Sequence, residues 1–83
     1  SNFLEKFIEL FVEEKINSHI TKNQFKIKFS EWCKENKHRE LSDTSLGLEM
    51  RKLGYEGSIK NFDWMNDGKG GTGRIWLDIK WKE

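Results

Sequence analysis

Apolar residues in this chain recur first at helical spacing and later in alternation. In FLEKFIELFVEE, residues 3 to 14, Leu4, Phe7, Ile8 and Phe11 share one helical face, and Glu5, Glu9 and Glu13 fall on another. This predicts an amphipathic first helix, capped at Asn2 or Ser1 and stopping near Lys15. Residues 16–20, INSHI, read as one short strand or an extended link. Phe25, Phe29, Trp32 and Cys33 then form a stripe at i, i+4, i+7 and i+8, with Lys22, Lys26, Lys28 and Lys34 projecting elsewhere. A second helix is expected from about 22 to 36, ended by the polar run Asn36 to His38.

Ser42 is placed as an N-cap, with Leu41 as the apolar residue before it. A third helix follows from Asp43 to Leu53, with Leu46, Met50 and Leu53 toward the core and Gly54 as a left-handed cap. Gly47 weakens that helix by about 1 kcal/mol relative to Ala and suggests a close approach. From Tyr55 the period changes. YEGSIKNFDWM is strand-like with a candidate bulge at Gly57, MNDGKGGTG is a glycine-rich turn, and RIWLDIKW is the clearest strand. Simple alternation puts Ile75, Leu77, Ile79 and Trp81 on one face and Arg74, Trp76, Asp78 and Lys80 on the other. The expected fold is α+β: a winged helix-turn-helix, three helices followed by a C-terminal β-hairpin wing, with residues 1–83 as a single domain.

Composition narrows what such a domain does. At 83 residues the chain supports one modest core. Aromatics at 13% exclude disorder, and no apolar run nears the ~18 residues of a membrane span. The start, SNFLEKFIEL, lacks the basic region expected of a secretory leader, and nothing in the sequence requires an oxidising compartment, so an intracellular location is expected. The lone Cys33 excludes an intrachain disulfide or a multi-cysteine zinc site and reads as a core thiol. His19 and His38 have no ligand or catalytic partner at a recognisable spacing. No acidic pair dictates acid–base work, so neither an enzyme nor a cofactor is expected. GKGGTG is not a phosphate loop, because Lys69 follows the first glycine and the loop leads into a strand.

The net charge of +1 argues against nonspecific coating of nucleic acid but hides a gradient. Residues 3–14 carry four Glu and one Lys, net −3; residues 15–40 carry seven Lys and Arg against three Glu, net +4; the remainder balances. If Leu46, Met50 and Leu53 are buried, the opposite face of the third helix shows Thr44, Ser45, Leu48, Arg51 and Lys52, with Ser42 at its start. The wing adds Lys69, Thr72 and Arg74, with Lys60 on the same hairpin. Short hydroxyls with cations suit phosphate and base-edge contacts, the third helix entering the major groove. Few cations and the nearby Asp43, Glu49, Asp63 and Asp67 set a modest, salt-sensitive affinity of roughly 10⁻⁴ to 10⁻⁶ M. Trp32 and Trp81 read as core, whereas Trp64 and Trp76 either brace the hairpin or stack on a base.

Phe3, Leu4 and Phe7, then Phe29, Trp32 and Cys33, then Leu41, Ser42, Leu46, Gly47, Leu53, Gly54 and Tyr55, and finally Trp76 and Ile79 follow one another in an order that resembles a known module. It is the C-terminal winged-helix domain of phage, plasmid and poxvirus-type primase–helicases. The resemblance covers nearly the whole chain. It implies a domain of a larger replication protein whose primase-like part and superfamily 3 helicase precede it, acting on viral or mobile-element DNA in the cytoplasm of a bacterial or virus-infected host cell. The implied partners are DNA, duplex or single-stranded, and other domains or subunits of the parent protein, with no membrane. The alternative is a protein-interaction winged helix without autonomous DNA binding, in which Glu5, Glu9, Glu13 and Glu14 meet a basic partner and Leu48 or Trp64 anchors it.

Overall fold

The chain enters a helix at its first described residue and passes straight from that helix into a strand. The computed structural model describes residues 3–61 and 72–83. Its elements are α1 (Phe3–Phe11), β1 (Val12–Thr21), α2 (Lys22–Glu35), α3 (Asp43–Lys52), β2 (Gly57–Asn61) and β3 (Thr72–Trp81). The result is an α+β domain of three helices and one antiparallel sheet of order β1-β3-β2. The C-terminal strands pair as expected, but they are not a simple hairpin appended to helices. β3 lies in the middle, and β1 occupies its other edge. Among the described residues no helix is long and apolar enough to cross a membrane.

The first helix is shorter than its charge pattern predicts. It ends at Phe11, and Val12 passes directly into the ten-residue strand β1. The competing force is pairing: Val12 is opposite Trp81, Glu13 opposite Lys80 and Glu14 opposite Ile79. Val12 is buried, and Glu13 forms an ion pair of 3.1 Å with Lys80. Opposite charges facing each other across strands favour the extended state, whereas the same glutamates near a helix C-terminus oppose its dipole.

The other two helices follow their local signals. The Thr21 hydroxyl accepts from the Gln24 N–H at 3.1 Å, and the Ser42 hydroxyl accepts from the Ser45 N–H at 3.2 Å, so each helix starts on a side-chain cap. After α3, Gly54 adopts φ 98°, its N–H donates to the Arg51 carbonyl, and the Tyr55 N–H reaches back to the Met50 carbonyl. That reciprocal pattern is a Schellman motif, which uses up the last carbonyls of the helix. α2 ends the same way on a lysine: Lys37 has φ 58° and the His38 N–H donates to the Cys33 carbonyl at 2.8 Å.

Alternation along β3 breaks once. Asp78 has φ 60°, and residues 15–18 of β1 bulge against it alone, because Glu14 pairs with Ile79 but His19 pairs with Leu77. Asn17, at φ 69°, donates its N–H to the Asp78 carboxylate at 3.1 Å, pinning the bulge. The left-handed residue advances the phase by one position. Trp76 and Ile79 therefore both enter the core at 1% exposure, although simple alternation puts them on opposite faces. Ile75 is buried without joining the core, and Leu77 is half-buried beyond it.

The core joins all three layers: Leu4 and Phe7 of α1, Val12 and Ile20 of β1, Phe25, Phe29 and Cys33 of α2, Leu46 and Met50 of α3, and Trp76 and Ile79 of β3. Trp32 and Trp81 pack against it, half-buried. Leu53, expected in the core, is 37% exposed, because it is the α3 C-cap, where the chain leaves the helix.

Candidate functional site

The side chains that leave the core at one end of the sheet surround an open groove of about 1040 Å³. One wall is the start of α2, with Lys22, Asn23, Gln24 and Lys26. A second is the outward face of α3, with Thr44, Gly47, Leu48 and Arg51. The third is the sheet, with Gly73, Arg74 and Trp76 from β3 and His19 from β1. The alternating pleat explains the third wall. Arg74 is two residues from Trp76 and so shares its face, but it lies farther along the strand, past the core, opposite Ile59 of β2.

Of the outward-facing residues picked out from the sequence, the groove gathers Thr44, Leu48, Arg51 and Arg74. Ser42 and Ser45 are engaged in the cap, the Ser42 hydroxyl donating to that of Ser45 at 3.1 Å. Lys52 lies apart, paired at 3.2 Å with Glu49 one helical turn back. Lys60 and Thr72 occupy strand positions opposite Gly73 and Asn61, respectively, and their side chains are not among those described. Lys69, Trp64, Asp63 and Asp67 lie outside the described residues. Trp76 is a core residue and offers no open ring face for a base.

Sequence reasoning missed Lys22 and Lys26 as groove residues. They lie four apart, on one side of α2, and that spacing was the available signal. What it lacked was the knowledge that this side faces α3. Lys26 meets the Asp43 carboxylate at the start of α3, so the acid closest to the groove is already paired. Lys22 has its ammonium over the Trp76 ring, 4.2 Å from the centroid. Burial, then the charges of Arg51 and Arg74, hold its pKa below the ordinary lysine value. Lys22, Arg51 and Arg74 all line the groove. Among the described residues none of the three has an ion-pair partner.

The arrangement suits an anion. Arg51 lies back over Gly47, where an added Cβ would come 3.6 Å from its Nη1. Leu48 stands beside it at 52% exposure. Among the described residues no three His, Cys, Asp or Glu side chains are grouped to hold a metal ion. Cys33 is fully buried and its thiol pKa is raised, first by burial and then by the charge of Glu40, so it lies in the core and away from the groove. His38 is exposed at the end of α2 and stacks on Phe3 at 5.2 Å.

Comparison with family models, with characterised proteins and with solved structures returns no match to this chain. The fold and the groove define a small α+β domain with a cationic cleft at one end of its sheet.

Proposed function

We propose that this domain is a winged helix that binds DNA as an accessory part of a replication primase–helicase. The element order and the three-stranded sheet β1-β3-β2 are compatible with that fold. The observation that carries the DNA reading is the convergence of Arg51 from α3 and Arg74 from β3 on one groove, without carboxylate partners among the described residues. In this reading α3 enters the major groove with Thr44, Leu48 and Arg51 foremost. The β2–β3 side of the domain then lies on the flanking backbone, where Arg74 neutralises phosphate. The replication context rests on the order of sequence motifs resembling the primase–helicase module.

Fluorescence anisotropy of labelled duplex and single-stranded DNA, repeated between about 50 and 200 mM salt, tests the reading. Replacing Arg51 and Arg74 together by Ala lowers the slope of log K against log salt by about two. An unchanged slope refutes the proposed face.

A protein-docking role for the same face is the second reading, favoured by the exposed Leu48 in the groove. It predicts no DNA binding even near 50 mM salt, where phosphate contacts are strongest.

A further inference from the structure

Lys22, the first residue of α2, has no part in the α3 and hairpin contacts just described, yet it lines the same groove as their two arginines. Two elements position it there and a third leaves it room. The Thr21 cap sets the start of α2 and so the origin of the side chain. Trp76, 1% exposed and held by the core, supplies the ring on which the ammonium rests. Gly57 of β2 pairs directly with Trp76, and a Cβ there would stand 2.6 Å from Lys22 Nζ and 2.9 Å from its Cε. The backbone at Gly57 is not left-handed, so it is the missing side chain, rather than conformational freedom, that this contact requires.

The ring attracts the ammonium, but the wider surroundings do not. Partial burial and the charges of Arg51 and Arg74 all disfavour a cation at Lys22. The groove's own acid, Asp43, is engaged by Lys26. Three cations held together without a counter-charge are unfavourable in the free protein, and an anion among them relieves the repulsion. The positive end of the α2 dipole has the same sign. One carboxylate is matched by a single arginine fork, whereas cations from three elements suit the several oxygens of a phosphate. The cleft, at about 1040 Å³, is far larger than one free phosphate ion and fits a phosphate that belongs to a longer chain.

We infer that Lys22, Arg51 and Arg74 form the seat of one backbone phosphate of DNA, with Trp76 supporting the Lys22 ammonium and Gly57 leaving room for it. The inference rests on the DNA reading and adds to it a contact from α2.

The test compares the unaltered domain with Lys22→Gln, Gly57→Ala and Lys28→Gln. Lys28 is the matched control: it also lies over aromatic rings, 5.0 Å from that of Trp81 and 5.4 Å from that of Phe11, but outside the groove. Thermal melts first confirm that each variant is folded. In anisotropy titrations of a short duplex, Lys22→Gln lowers the salt slope by about one and weakens binding about tenfold near 50 mM salt. Lys28→Gln changes affinity less than about twofold, as expected of a distant charge. Gly57→Ala weakens binding while keeping every charge. Inorganic pyrophosphate, followed through the indole N–H resonance of Trp76, provides a second probe. A shift that is present in the unaltered domain and lost in Lys22→Gln supports the seat. Binding that needs Arg51 and Arg74 but is indifferent to Lys22 overturns the seat and leaves the DNA reading standing. No duplex binding by the unaltered domain overturns both. A pyrophosphate response without DNA binding overturns the backbone assignment in favour of a free phosphate.

Discussion

Phe7 of α1 makes ring contacts with both α2 and β3. It is fully buried, and its ring lies 5.2 Å from that of Phe29, 5.4 Å from Phe25, 5.7 Å from Trp32 and 6.1 Å from Trp81. The interplanar angles to Phe25, Phe29 and Trp81 are 77°, 67° and 84°, so the contacts are edge-to-face. Phe7→Ala removes the transfer free energy of the ring, roughly 2–3 kcal/mol, and leaves a cavity. Its walls are aromatic rings tied to α2 and β3, which cannot collapse without moving both elements. The total therefore belongs near 4 kcal/mol, within the ~3–5 kcal/mol found for buried Phe→Ala. An 83-residue domain has roughly 4–12 kcal/mol in all, so the variant is left marginal. Phe3, half-buried and stacked on Phe29 at 5.9 Å, sits at the margin of the same cluster, and Phe3→Ala should cost only about 1–2 kcal/mol. Urea denaturation at low temperature, monitored by far-ultraviolet circular dichroism, measures both. A loss below about 1.5 kcal/mol for Phe7→Ala, with the denaturant slope unchanged, refutes the idea that a rigid aromatic cluster organises the domain.

Other consequences are equally open to measurement. The bulge at Asp78 requires a left-handed residue and a carboxylate for the Asn17 N–H. Asp78→Gly should therefore lose only the hydrogen bond, about 1 kcal/mol, while Asp78→Val loses it and adds backbone strain, costing at least about 1 kcal/mol more. Equal losses by urea titration would show that the bulge makes no conformational demand. Cys33 keeps its proton to higher pH in the folded chain than in the unfolded one. Its contribution to stability is thus fully present below the ordinary thiol pKa of about 8.5 and is lost as pH rises through the raised folded value. The slope of stability against pH between about 8 and 9.5 should flatten in Cys33→Ala, even though that variant is less stable at neutral pH; an unchanged slope counts against the burial argument. Tyr55 and Lys80 are also raised, the first by burial and the second by its hydrogen bond to Glu13, but from values near 10 to 10.5, so their effect begins above this window.

The sequence discloses what is local and conceals what is paired at long range. α2 and α3 were legible because Ser42 and Gly54 act within a few residues of themselves, and because the stripes Phe25–Phe29–Cys33 and Leu46–Met50 keep helical spacing. The end of α1 was not. Neither Gly nor Pro separates it from β1, and Glu13 and Glu14 are good helix formers. Their extended state depends on Lys80 and Ile79, which are remote in sequence. The face assignments along β3 failed for one reason, the left-handed Asp78, which resets an otherwise regular alternation. The groove was half legible. Arg51 and Arg74 follow from α3 and the terminal strand, but Lys22 becomes part of the site only when α2 crosses in front of β3, and no spacing rule records a crossing.

The central place of β3 also governs how the domain can come into being. The two strands that flank it are both made earlier, and neither is hydrogen-bonded to the other. During synthesis α2 and α3 can close on contacts already available, but β1 and β2 expose unpaired edges until residues 72–81 emerge. The sheet then zips on both sides of a single late strand. Folding is accordingly paced by closure between the first third and the last few residues of the domain, a slow and entropically costly event for so short a chain. Until it happens, Ile16 and Ile59 border open strand edges, the kind of surface on which unfolded chains associate.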